Sequence, residues 1–132
     1  MSWAPPRRDR VALCEYIDGR VRRPHCFAGN DCACFVLGAV HAQFGISPIL
    51  PVSWSTERGA LRAIAKLGGI EAACDRLFRP IAPGEAQFGD IAGVEDPVRG
   101  FHVMLVEGAT LCSPGETDLM RVPRAEMICA WS

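Results

Sequence analysis

A cysteine at the start of a predicted helix is the residue of this sequence best suited to chemistry. Residues 29–32 read Gly-Asn-Asp-Cys and precede a long apolar stretch, so Cys32 falls in the first helical turn behind an Asn30 or Asp31 cap. Unpaired backbone N–H groups and the positive end of the helix dipole favour the thiolate there, which is the nucleophilic form. The negative charge of Asp31 opposes this effect. The Cys32 backbone N–H is placed to stabilise the oxyanion formed by attack on an amide carbonyl.

A thiolate nucleophile requires a base, and His102 is the candidate for that role. It opens an apolar strand directly after a glycine-bearing turn, a position from which a rigid imidazole can face a helix N-terminus. A third polar group normally orients such an imidazole. Cys112, Ser113 and Glu116 lie on or near the next predicted strand, and none of them stands out as that group.

The same residues allow other interpretations. A cysteine at a buried helix start is more often inert than reactive, so an inert Cys32 is the first alternative. The second is a zinc or iron–sulfur site formed by His25, Cys26, Cys32 and Cys34, although a C-x5-C-x-C spacing matches no usual metal motif. His41, further along the same helix, is predicted to be a capped core histidine. We expect no metal and no cofactor.

Length and composition indicate a single globular domain over residues 1–132. The hydrophobic fraction is 49%, the charged fraction is 22%, and the formal net charge of −1 gives no attraction to nucleic acid. No apolar run approaches the roughly 18 to 20 residues that span a bilayer, so no membrane span is expected. Seven scattered cysteines argue against a disulfide framework. The first residues lack the apolar region of a signal peptide, so we expect synthesis in a reducing cytosol.

Hydrophobic periodicity divides the chain into a helical first part and a strand-rich last third. Four segments have helical spacing and end near glycine or proline: residues 7–17, 32–44, 55–67 and 70–78. Five segments have extended character and are separated by turn residues: 90–94, 101–106, 109–112, 119–122 and 127–131. The second helix is apolar nearly all round and should be central, and a loop with Pro48 and Pro51 follows it. The prediction is an α+β fold with the cysteine helix packed on a C-terminal antiparallel sheet.

These pieces, in this order, resemble the NlpC-type cell-wall cysteine peptidases, a branch of the papain-like fold. The matching residues are Asp31-Cys32 with Phe35 on the buried helix, then Gly-Asp-Ile at 89–91, and His-Val-Met-Leu-Val-Glu-Gly at 102–108. The resemblance implies a papain-like fold in which the cysteine is the nucleophile and the histidine is the base. It also implies that the substrate is an amide bond in a peptidoglycan stem peptide.

Three positions depart from the pattern of those peptidases. Met104 stands where glycine usually follows the histidine, and the third catalytic polar residue has no clear counterpart. His25 stands where the peptidases often have a tyrosine that assists the oxyanion. The resemblance therefore implies that His25 assists the oxyanion beside the Cys32 backbone N–H.

Almost the whole chain resembles a narrower group, a domain of tailed phages and prophages encoded among tail-tip genes. Four segments carry this resemblance: residues 7–8, 24–32, 86–90 and 130–131. It implies a protein made in the bacterial cytoplasm, assembled into the virion tail tip, and in contact with tail hub or tip proteins. One expected function is peptidoglycan amide hydrolysis that aids cell-wall penetration. Many members of that group lack the histidine, so the alternative is an inactive structural component that docks on the tail hub.

Overall fold

Helices precede strands in the structure, a computed structural model that describes residues 7–46, 53–98 and 100–132. The described residues form four α-helices: α1 Arg10–Asp18, α2 Cys32–Phe44, α3 Glu57–Lys66 and α4 Ile70–Leu77. They form six strands: β1 Pro80–Ile81, β2 Ile91–Asp96, β3 Gly100–Val106, β4 Thr110–Pro114, β5 Leu119–Pro123 and β6 Met127–Trp131. The predicted α+β class is confirmed. The predicted loop with Pro48 and Pro51 lies outside the described residues.

The strands form one sheet in the order β1-β6-β2-β3-β4-β5, and every described pair is antiparallel. The meander from β2 to β5 follows the chain, as the turn residues predicted. The last strand then crosses back to pair with β2 on its other side. The two-residue β1 was not predicted, because Pro80 leaves too short an extended run to be recognised by alternation.

Local capping fixes the bounds of α2. The side chain of Asp31 accepts a hydrogen bond from the Cys34 N–H at 2.8 Å, so the helix begins at Cys32. Gly45 ends it with a left-handed φ of 72°, which glycine adopts without steric cost. Both ends are as predicted. His41, predicted to be a capped core histidine, is instead exposed.

The main hydrophobic core lies between α2 and one face of the sheet. Phe35, Val36 and Ala39 of the helix pack in one cluster with Val103 and Leu105 of β3. Alternation along β3 places the next residues on the opposite face, where Met104 and Val106 join a second buried cluster. The central strands are therefore buried on both faces, and α2 is held against them from its first turn.

The longest described helix is α2, with 13 residues. No helix among residues 7–46, 53–98 and 100–132 has the length and apolar character needed to cross a bilayer.

Candidate active site

A cleft opens at the end of the sheet where β3 and β4 separate. These strands pair at Leu105–Cys112 and Val106–Leu111, whereas the first half of β3 has no described ladder partner in β4. The cleft has a volume of about 620 Å³. Residues of the loop before α2, of the starts of α2, α3 and α4, of the start of β3 and its preceding turn, and of the end of β4 and its following turn border it. We call it the Cys32 cleft.

The three residues predicted to carry chemistry all border the Cys32 cleft. Cys32 enters it from the first turn of α2, His102 from the start of β3, and His25 from the loop before α2. The sequence placed them in different elements, and folding brings them to one cavity. Their chemical roles stay predictions.

A closed loop presents Cys32 to the cleft. Cys26 and Asn30 exchange backbone hydrogen bonds of 3.1 and 2.8 Å, and Gly29 inside this loop has a φ of 111°. The buried Asn30 side chain donates to the Pro24 carbonyl at 2.8 Å and accepts from Arg20 at 3.2 Å. The chain direction entering α2 is therefore set by hydrogen bonds before the helix starts.

Asp31 connects the start of α2 to a distant residue. One carboxylate oxygen caps the helix, and the other accepts a hydrogen bond from the indole N–H of Trp54. Asp31 is only 4% exposed, so both bonds are shielded from water. The cap was predicted from the residue type of Asp31, whereas the bond from Trp54 was not, because these two residues meet only in the folded chain.

The environment of the Cys32 sulfur keeps the thiol protonated. Burial raises the pKa of the Cys32 thiol above its ordinary value, and the Asp31 carboxylate raises it further. The backbone N–H groups of Val103, Ala33 and Cys32 itself lower it by a smaller amount. The helix N-terminus was predicted to favour the thiolate. The backbone N–H groups there do lower the pKa of Cys32, but the loss of hydration on burial raises that pKa by more.

His102 has one ring nitrogen that can act as a base. Nδ1 lies 3.3 Å from the Gly100 carbonyl, which can only accept a hydrogen bond, so this contact assigns the proton to Nδ1. Nε2 is then the basic nitrogen of the neutral ring. It is buried, and it has no hydrogen-bond partner among the described residues. The side chain as a whole is 8% exposed.

The Cys32 sulfur and the His102 imidazole border the same cleft. Nε2 of His102 forms no hydrogen bond with the sulfur or with any other group of the described residues. His102 is paired in register with Val94, and alternation places it on the sheet face of Met104. The sulfur of Cys32 instead lies by the backbone N–H of Val103, which faces the gap left by β4. The two residues therefore border one cavity, but the strand register gives no direct contact between the sulfur and the imidazole, and their pairing stays a prediction.

Within residues 7–46, 53–98 and 100–132, no side chain is hydrogen-bonded to His102 as an orienting third group. The Gly100 carbonyl is the group at Nδ1. Of the earlier candidates, Ser113 and Glu116 border the cleft, whereas Cys112 is buried in the main core. A backbone carbonyl has no sequence signature, which explains why residue types alone did not reveal it.

His25 is fixed at the cleft by its backbone and by its ring. Its N–H donates to the Gly115 carbonyl at 2.6 Å, and its ring meets the edge of Phe27 with centroids 4.5 Å apart. An imidazole there can donate a hydrogen bond to a ligand oxygen, as the resemblance implies for His25.

The metal alternative finds no support in the part of the chain that the structure describes. No group of three or more His, Cys, Asp or Glu side chains converges there to hold an ion. Cys34 does not border the cleft. Burial, and to a smaller extent the charge of Asp31, raises the pKa of the Cys34 thiol to about 12. A thiol in that state is a poor metal ligand, because metals bind the thiolate.

Comparison with known proteins gives a family and no function. Residues 6–132 match the family described as Domain of unknown function (DUF6950). No curated protein and no solved structure matches the chain significantly. The match covers nearly the whole sequence, including the loop before α2, the cleft and the final strand. The chain therefore belongs to the DUF6950 family.

Proposed function

We propose that the Cys32 cleft is the active site of a papain-like cysteine hydrolase that cleaves amide bonds in peptidoglycan stem peptides. One observation carries the proposal: a thiol at a helix N-terminus shares a cleft with a buried imidazole whose basic nitrogen has no hydrogen-bond partner in the described part of the chain. The resemblance to the NlpC-type peptidases supplies the substrate class.

In the first half of the reaction, a bound amide displaces water from the cleft. The Cys32 sulfur attacks the carbonyl carbon while Nε2 of His102 accepts the thiol proton. Because the thiol is protonated at rest, this transfer accompanies attack instead of preceding it. The carbonyl oxygen gains negative charge, which the Cys32 backbone N–H and the His25 ring stabilise.

Collapse of this intermediate breaks the carbon–nitrogen bond. Nε2 returns its proton to the departing amine, and a thioester on Cys32 remains. A water molecule then attacks the thioester, giving one proton to Nε2 and its hydroxyl to the carbonyl carbon. The acid leaves, the sulfur takes the proton back from Nε2, and the free enzyme is restored. Throughout, the Gly100 carbonyl holds Nδ1 and keeps Nε2 as the acceptor.

The setting we propose for this activity is a phage or prophage tail tip. The protein would be made in the bacterial cytoplasm, assembled with tail hub or tip proteins, and used to open the cell wall. Support comes from the resemblance of residues 7–8, 24–32, 86–90 and 130–131 to tail-tip-encoded domains.

Release of soluble fragments from purified peptidoglycan tests the hydrolase proposal. We expect wild type to release fragments with new amine ends, and both Cys32→Ala and His102→Gln to lower the rate at least about a hundredfold. Cys34→Ala is the matched control, because it removes a thiol from the same helical turn outside the cleft. It should retain the wild-type rate. Equal release by wild type and Cys32→Ala would remove the proposal.

A second candidate is an inactive tail-tip component that uses the same fold to dock on the tail hub. The raised pKa of Cys32 favours it, because a buried protonated thiol is typical of a structural cysteine. The same assay separates the two candidates. If wild type and all three variants are folded and none releases fragments, the docking role is the one that stands.

A further inference from the structure

We propose that Trp54 is a positioning residue for Cys32: its indole N–H holds the Asp31 carboxylate in place and shields the candidate nucleophile from part of that negative charge. The inference rests on the proposed function, because it concerns the nucleophile of the same site. Trp54 does not itself border the Cys32 cleft, so it acts on the sulfur through Asp31.

The Asp31 carboxylate is held from two sides directly before the helix that carries Cys32. One oxygen accepts a hydrogen bond from the Cys34 N–H at 2.8 Å, and the other accepts from the Trp54 indole. The Asp31 backbone carbonyl also accepts from the Phe35 N–H at 2.9 Å, which fixes its main chain. The residue is only 4% exposed, so water has little access to replace a lost bond. Without the indole N–H, one oxygen of a buried anion has no partner.

Packing between two helices fixes the direction of this indole. Trp54 lines a small apolar cavity of about 50 Å³ together with Val36 of α2 and Ile64 of α3. Gly59 in the first turn of α3 leaves room for it, because a Cβ at that position would lie 3.3 Å from the Cβ of Trp54. A phenyl ring could fill much of the same apolar space, but it could not supply the N–H. The N–H therefore has a role that packing alone does not require.

The acceptor of this N–H is a charged group next to the sulfur in sequence. Burial is the largest cause that raises the pKa of the Cys32 thiol, and the Asp31 carboxylate also raises it. A hydrogen bond places the positive end of the N–H dipole against the carboxylate, which weakens the negative potential that the sulfur experiences. Asp31 held by Trp54 therefore caps α2 with a smaller penalty on the thiolate.

Other titratable groups also surround the sulfur. Two thiols interact with it electrostatically, namely Cys34 on α2 and Cys74 on α4. Four titratable residues border the same cleft: His25, Glu57, His102 and Glu116. Among the described residues, the Trp54 indole donates to Asp31 and to none of these groups. Removal of the indole N–H therefore changes the charge near Cys32 through Asp31.

The pH dependence of Cys32 alkylation by iodoacetamide tests the inference. The rate is measured from pH 7 to 10 in wild type and in Trp54→Phe, and Cys32 is resolved from the other cysteines by peptide mass spectrometry. We expect Trp54→Phe to move the rate curve to higher pH and to slow the reaction at pH 8 about threefold, because the thiolate is disfavoured. A purely structural role predicts the opposite sign, since a loosened site exposes the sulfur and speeds its alkylation.

Two further variants assign the effect to the Asp31 charge. Asp31→Asn removes the charge and keeps a capping oxygen, so it should speed Cys32 alkylation. Adding Trp54→Phe to Asp31→Asn should then cause no slowing. Trp131→Phe is the matched control, because the Trp131 indole donates to a different aspartate, Asp75, at 2.9 Å and lies outside the cleft. It should leave the Cys32 rate unchanged.

A second measurement keeps Trp54 in place and does not depend on the folding of Trp54→Phe. By NMR, the Trp54 indole proton should exchange with solvent at least about tenfold more slowly in wild type than in Asp31→Asn. Equal exchange in these two proteins would overturn the inference. So would an unchanged or faster Cys32 rate in Trp54→Phe, or the same slowing in the Asp31→Asn background. No step requires cleavage, so the result stands even if peptidoglycan release shows that the protein is not a hydrolase.

Discussion

At Asp31, a single carboxylate both starts the central helix and connects it to a residue far away in sequence. Capping orients the first turn of α2, and the bond from Trp54 holds the carboxylate in a buried site. The same negative charge raises the pKa of Cys32, although burial has the larger effect. Asp31 therefore positions the candidate nucleophile but also makes the Cys32 thiol harder to deprotonate.

We expect Asp31→Ala to lower the free energy of unfolding by about 2 to 3 kcal/mol. Loss of a helix cap costs about 1 kcal/mol. The Trp54 N–H, left without its acceptor, adds about 1 to 2 kcal/mol. Asp31→Ser retains a capping oxygen and should recover about 1 kcal/mol of the loss. Urea denaturation measures these differences.

Asp9→Ala provides the comparison, because Asp9 caps α1 with an exposed carboxylate that accepts a hydrogen bond from the Ala12 N–H at 2.9 Å. It should cost about 1 kcal/mol. If Asp31→Ala costs no more than Asp9→Ala, the buried bond from Trp54 contributes nothing to stability.

Among the elements, those with strong local signals were predicted well. The bounds of α2 follow from a capping aspartate, an apolar run and a terminal glycine, and the sequence alone gave residues 32–44. β6 was likewise predicted over 127–131. α1 begins three residues later than predicted, because the cap is Asp9 and residues 7–8 precede it. Element type therefore followed from periodicity, and errors were confined to ends and to the short β1.

The geometry between elements could not be predicted in the same way. Periodicity placed Cys32 on a helix and His102 on a strand, but it did not show that β4 leaves β3 at Leu105. The cleft opens where the two strands separate, and the backbone N–H of Val103 there lowers the pKa of the Cys32 thiol, although burial raises it by more. It depends on how strands twist and pair across the whole sheet, which residue types report only weakly.

At the scale of the whole molecule, a buried ion pair connects the N-terminal segment to the sheet. Arg8 contacts Asp90 at 2.5 Å and also donates to the Phe88 carbonyl. The Asp90 side chain is 4% exposed and accepts a second bond from the Gln87 N–H at 2.8 Å. Arg8 also lies over the ring of Phe44, so it contacts the last turn of α2. The segment before α1 therefore holds together the end of the central helix and the start of β2.

We expect Arg8→Ala to lower the free energy of unfolding by about 2 to 4 kcal/mol, because it leaves the Asp90 carboxylate buried without its cation. Thermal and urea denaturation measure the loss. The neighbouring Arg7 is exposed, and Arg7→Ala should change stability by less than about 0.5 kcal/mol. Similar effects of the two substitutions would show that the Arg8–Asp90 contact does not contribute.

The candidate site is itself a property of the whole fold. Its candidate nucleophile, its candidate base and the residues around them come from the first turn of α2, the start of β3, α3 and the turn after β4. The sequence identified Cys32, His102 and His25 from residue chemistry and resemblance. It missed Glu57 and Leu61 as residues that border the cleft, because an exposed acid or aliphatic residue on a helix carries no sign of what it will face.

The central claim is that the Cys32 sulfur and the His102 imidazole act together, although burial keeps the thiol protonated at rest. The most direct test is the rate at which iodoacetamide alkylates Cys32 at pH 7, resolved from the other six cysteines by peptide mass spectrometry. We predict that His102→Gln slows this reaction at least about tenfold, because the base that accepts the thiol proton is gone. Cys34, which lies outside the cleft, should react at the same rate in both proteins. Equal rates at Cys32 in wild type and His102→Gln would contradict the coupling.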